Sequence, residues 1–266
     1  MEAVQKKRIA LIASVTGCSV LVWWTAHRWL TSTGRFDDWR VFILPALATI
    51  LLAAVAGLSF MLLRSRMDRV AATTAAWASF VLFFEPSRWY LTVLPVFLLL
   101  WWDGGRRIRG ELDDRKRIRI PSLVGSGTKH IVLGVFLMVS LGFYLLPVSR
   151  TTDVAAVSRS IQGSFDTAYD LPIVQSQMAE LPPSLQAQFR RDMARSVDQF
   201  VHKWLGPIAP YLPPLLALAL FLGLWSLLGI IQWPASKLAA GMFMLLKAAG
   251  FVRMEEKDVK AHVISL

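Results

Sequence analysis

Residues 41–63 form a run of 23 positions without a charged side chain, closed at once by Arg64, Arg66 and Arg69. As a helix rising 1.5 Å per residue, such a run reaches about 34 Å, enough to cross a hydrocarbon core of roughly 30 Å with some tilt. A chain that carries it must bury it on every side in protein or give it to lipid. The remaining sequence favours lipid. Its apolar residues come in blocks, at 9–24, 41–63, 70–84, 89–102, 131–146 and 215–233, rather than at a helical or strand period. Hydrophobic residues make up 55% of the chain and the mean hydropathy is +0.49, above the range of soluble domains. The fold expected from these blocks is an all-α integral membrane protein with about six transmembrane helices.

Two of the runs are short. Residues 70–84 and 89–102 reach only about 21–23 Å, so they either borrow flanking residues or form a re-entrant hairpin. Both arrangements return the chain to the side it left. The first run is dense in Ala, Ser and Thr, which predicts burial against other helices. The second is Leu-rich with Pro95 and is expected to face lipid along part of its surface. Within 41–63, Ala53 and Gly57 form a small pair four residues apart that permits close helix approach. Trp23, Trp24 and Trp29 are read as an aromatic belt at one interface.

Lys6, Lys7 and Arg8 before residues 9–24 raise the reading of a secretory signal, but no small-x-small site closes the run. Val15-Thr16-Gly17-Cys18 is similar to a bacterial lipobox, yet the apolar run continues through Trp24, so an uncleaved first helix is expected. Cys18 is the single cysteine, which excludes an intrachain disulfide and a cysteine-based metal cluster.

The net charge is +11. With six crossings and both termini cytoplasmic, 19 Lys and Arg fall on the inner side and 10 on the outer. Lys and Arg resist translocation, and this rule accounts for the basic excess without nucleic acid as a partner. The orientation implies a multi-pass protein of the cell membrane. It divides the chain into an N-terminal membrane region (1–102), a basic cytoplasmic loop (103–129), a fifth span (130–146), an extracytoplasmic segment (147–214), a sixth span (215–233) and a cytoplasmic remainder (234–266).

The basic loop alternates as Arg107-Ile108-Arg109 and Arg117-Ile118-Arg119-Ile120 around Leu112-Asp113-Asp114, which predicts a small cytoplasmic β-hairpin, extendable by the alternating tail 259–263. Residues 124–128 read as a flexible Gly/Ser-rich lead. Arg106, Arg107, Arg109, Arg115, Lys116, Arg117 and Arg119 are candidate contacts for anionic lipid headgroups, although orientation alone explains the same charges. No aromatic side chain is interleaved with them, so single-stranded nucleic acid is not expected.

In the extracytoplasmic segment, Val154, Val157, Ile161, Phe165 and Ala168 predict one amphipathic helix. Leu185, Phe189, Met193, Val197, Val201 and Trp204 predict a second. The sixth span is expected to stop at Pro234, followed by an interfacial helix over 236–251 that keeps Lys237 and Lys247 towards water, with a short seventh span as its rival.

Glu85 and Arg88 form a candidate intramembrane charge pair if the hairpin is re-entrant. The plainer reading is an interfacial loop. Residues 125–129 lack the spacing of a phosphate loop, and neither H-E-x-x-H nor G-x-S-x-G is present. No catalytic residue, metal site or cofactor is therefore expected. The function expected is a non-catalytic membrane scaffold or assembly subunit, in contact with a membrane-protein partner or a second copy. The alternative is a small-solute or ion transporter or channel with Glu85 and Arg88 near the path.

Overall fold

The structure is a computed structural model that describes residues 2–32, 40–63, 65–84, 88–114, 120–146 and 211–252, with isolated positions between 182 and 207. The described residues form seven helices and no strand. They are α1 (Glu2–Thr31), α2 (Arg40–Leu62), α3 (Arg66–Val81), α4 (Arg88–Asp114), α5 (Ile120–Leu145), α6 (Leu212–Ser226) and α7 (Leu228–Ala248). By chain contacts there are two units, Met1–Gly142 with Phe221–Leu266, and Phe143–Leu220. In the second unit Gln188, Asp192, Arg195, Ser196 and Gln199 are helical. Arg195 Nη1 lies 3.7 Å from Asp192 Oδ1, at helical spacing. The first predicted outer helix and most of the second lie outside the described residues, as does the tail strand over 259–263.

Three helices are long and apolar enough to cross a membrane: Gln5–Thr31 of α1, α2 and α5. A fourth is counted if α6 and α7, bent by 49° at their junction, act as one span. α3 and α4 do not qualify by length and composition, yet α3 follows α1 along most of its length. Arg8 of α1 pairs with Asp68 in the first turn of α3, while His27 meets Phe84 just beyond the end of α3. Those nineteen intervening steps along α1 correspond to about 28 Å. α3 with its last turn therefore runs alongside α1 from Arg8 to His27.

α2 is central and packs on α1, α4 and α7. Its middle is buried from Leu52 to Met61 without interruption. The expected close approach at Gly57 is present, because a Cβ there would meet Val124 of α5 at 2.6 Å. Large side chains fill the rest: Trp23, Phe60, Phe80, Phe97 and Trp101 are all fully enclosed. Phe80 stacks on Phe84 at 4.2 Å and meets Trp23 and Tyr90 edge-on. Edge-on and offset geometries suit the ring quadrupoles. Every buried polar side chain among the described residues is a Ser or Thr. Ser19, Thr25, Thr49, Thr73, Ser79, Thr128 and Ser236 donate to carbonyls three or four residues earlier on their own helices. Hydroxyls can therefore be buried there without partners from another helix.

Four sequence expectations are corrected. First, the hairpin is absent among the described residues: α4 is helical through Asp114 and α5 begins at Ile120. Helical turning lets Ile108 become fully buried beside Gly127 while its arginine neighbours stay outside, whereas a lone hairpin would be marginal. Residues 115–119 lie outside the described residues. Second, 124–128 is not a flexible lead but part of α5. A Cβ on Gly127 would run into the Gly104 carbonyl and Ile108 of α4, so the glycines offset their helix-propensity cost, about 1 kcal/mol each, by letting two backbones meet.

Third, the chain does not break at Pro234, which lies inside α7. The break falls at Leu227, whose ψ of −1° departs from the helical value. Fourth, Trp23 is not part of an interfacial belt. It is fully buried, and its Nε1 donates to the Ala76 carbonyl at 2.9 Å.

Candidate functional site

Helical spacing decides which basic side chains meet. Arg66, Arg69 and Thr73 lie three and four residues apart on α3, and Leu98, Trp102, Arg106 and Arg109 do so on α4. These two stripes face each other across a cavity of about 700 Å³. Phe60 of α2, Val70, Leu98, Trp101 and Trp102 supply its apolar wall. Arg66, Arg69, Arg106 and Arg109 supply its charge, and no carboxylate lines it among the described residues. Gly105 keeps the wall thin, since a Cβ there would touch the Phe60 ring at 3.4 Å and Arg69 Cδ at 3.7 Å.

Two of the arginines are anchored. Arg69 Nη1 and Arg109 Nη2 both donate to the Leu63 carbonyl, at 3.2 and 3.4 Å. Leu63 follows the last residue of α2, where carbonyls lack helix partners and the dipole favours cations. One helix end thus holds two guanidiniums side by side. Burial pushes the Arg69 pKa below its usual value, and Arg109 and Arg66 push it further. Arg69 lies one residue before the apolar run 70–84. Arg66 and Arg106 are exposed and have no ion-pair partner among the described residues.

Two acids close to this end, Asp68 and Asp103, are engaged elsewhere. Asp68 lies 3.6 Å from Arg8. Asp103 accepts from Arg107 Nε at 2.8 Å and has His130 Nε2 at 3.3 Å. The Arg107 hydrogen bond, with that side chain's charge, holds the Asp103 carboxyl below its ordinary pKa against the opposing effect of partial burial.

Of the residues singled out in the sequence, Arg106 and Arg109 reach the cavity, whereas Arg107 turns to Asp103. Arg115, Lys116, Arg117 and Arg119 lie outside the described residues. Glu85 does too, and Arg88 is an exposed first residue of α4, so the two are not seen as a pair. Arg66 and Arg69 were read for orientation alone. Their i, i+3 spacing, matched by Arg106 and Arg109, was the signal for a shared face. No group of three or more His, Cys, Asp or Glu among the described residues is placed to hold a metal ion. Comparison of the chain with protein-family models, curated proteins and solved structures finds no match.

Proposed function

We propose that the chain is a multi-pass membrane scaffold or assembly subunit, with six crossings and both termini cytoplasmic, whose basic end holds an anionic lipid headgroup. The observation that carries this reading is the contrast between an interior without a buried Asp, Glu, Lys, Arg or His among the described residues and a cavity lined by four arginines at one end. The same end gathers Lys7, Arg8, Arg66, Arg69, Arg106 and Arg109 through the Lys7–Phe251, Arg8–Asp68 and Leu63 contacts. That clustering agrees with the charge bias of a cytoplasmic face. Exposed Leu222, Trp225, Ile230 and Trp233 on α6 and α7 suit lipid or a second membrane protein better than water.

Transport of a polar solute receives less support. The small-residue face of α3 is closed by Trp23 and Phe80, and the buried hydroxyls of that face, Thr73 and Ser79, are committed to carbonyls of their own helix.

Native mass spectrometry of protein released in mild detergent tests the proposal. The expected species is a complex with a partner or second copy that retains anionic phospholipid. The phospholipid is lost from Arg106→Gln/Arg109→Gln. A bare, lipid-free monomer from wild-type membranes would overturn the reading.

A further inference from the structure

The arginine cavity has a division within it that bears on headgroup choice. Arg69 and Arg109 form an inner pair, tied to one carbonyl and partly buried. Arg66 and Arg106 form an outer pair, exposed and without ion-pair partners among the described residues. Resting on the anionic-lipid reading, we infer that the cavity is a discrete site for a lipid bearing two phosphate groups, one held by the inner arginine pair and the other by the outer pair.

Three observations support the inference. The formal charge of the four lining arginines is offset by no lining carboxylate among the described residues, and a single phosphodiester would leave most of it uncompensated. A guanidinium presents a planar fork that engages phosphate oxygens bidentately, so two pairs suit two phosphates. The size also fits. About 700 Å³ lies within the range of small-molecule sites, far more than one phosphate fills. The crowding of Arg69 by burial, Arg109 and Arg66 marks a cluster that an anion would relieve.

The apolar wall favours a lipid over a soluble diphosphate. Leu98, Trp101 and Trp102 line the cavity, and the neighbouring α4 surface stays apolar outside it, with Leu99 66% and Val96 47% exposed. Acyl chains lying along Leu99, Trp102 and Val70 would continue from the headgroup without crossing a polar surface.

The test is lipid binding by full-length protein in phosphatidylcholine nanodiscs doped with cardiolipin or with phosphatidylglycerol at equal phosphate. Wild type is expected to bind cardiolipin about tenfold or more tightly than phosphatidylglycerol. In Arg66→Gln/Arg106→Gln, which alters exposed side chains only, cardiolipin affinity should fall to the phosphatidylglycerol level while phosphatidylglycerol binding is little changed. Equal wild-type affinity for both lipids at equal phosphate would overturn the two-phosphate site and leave the anionic-lipid reading standing. No preference for either over phosphatidylcholine would overturn both. Displacement of cardiolipin by inorganic pyrophosphate at matched concentration would overturn the assignment to a lipid.

Discussion

The α3–α4 pair is built in two ways along its length. Towards Phe84 and Tyr90 it is sealed, with Phe80 held among Trp23, Phe84 and Tyr90. Towards Arg66 and Arg109 it opens into a cavity whose charges have no lining counter-ion among the described residues. The difference is one of side-chain size and helical phase rather than of backbone. On α4 the adjacent glycines divide the work. Gly104 lets α5 approach at Gly127 and closes one face, while Gly105 on the other borders Phe60 and the Arg69 stem at distances where a Cβ would fit in ordinary contact. A helix carrying Gly104, Gly105, Arg106, Arg107, Ile108 and Arg109 in sequence thereby presents a dry seam, a charged cavity wall and a surface ion pair within two turns.

Breaking the seam should have the largest effect. Gly127→Leu has to displace the Gly104 carbonyl and Ile108, and is expected to cost about 3 kcal/mol or to prevent assembly. Gly110→Ala, on the cavity side with nothing within 4 Å of its Cβ, should be neutral or stabilising by about 0.5–1 kcal/mol. Thermal unfolding in detergent separates the two, and comparable losses would erase the contrast between faces.

A smaller loss is expected in the sealed half. Trp23→Phe removes the indole donor to Ala76 and part of the fill beside Phe80, for about 1–2 kcal/mol by the same measurement. An unchanged midpoint would mean that the indole contact contributes nothing to the seal.

The smallest effect belongs to the surface pair. The folded pKa of Asp103 lies below its unfolded value, so its contribution is fully present above the unfolded pKa and is lost as pH falls through the folded one. Its side chain is 41% exposed, so solvent screening limits that contribution to about 0.5 kcal/mol or less. Asp103→Asn should therefore lower stability slightly at pH 7 and leave it unchanged once the pH is lowered past the folded pKa. A difference persisting at the lower pH would assign the effect to packing instead.

Much of this organisation can be read from residue order. The uncharged run 41–63 gives α2, the small residues of 70–84 give an α3 buried along one face while Ala71, Thr74 and Ala78 stay exposed, and Gly57 gives the close approach to α5. The basic stretch misleads because Arg107-Ile108-Arg109 satisfies a period of two locally, while its burial follows the helical period set by Phe97, Trp101, Gly104 and Gly105 upstream. Helix or strand is decided there by α5, through Gly127 against Ile108, and that partner is not encoded within the stretch. The cavity stays hidden for a related reason. Arg66 and Arg69 precede Arg106 and Arg109 by about forty residues, and the antiparallel run of α3 and α4 brings them together. The sequence spacing predicts each stripe but not their meeting.

Thiol accessibility of two introduced cysteines most directly tests a sealed interior beside a single charged opening. In a Cys18→Ser background, Gly110→Cys on the cavity and Ser79→Cys in the buried face of α3 would be exposed to a membrane-impermeant maleimide in inverted membrane vesicles. The expected result is modification of Gly110→Cys and none of Ser79→Cys until the protein is denatured. Labelling of Ser79→Cys in native membranes, from either side, would contradict the sealed interior and favour a solute path through the bundle.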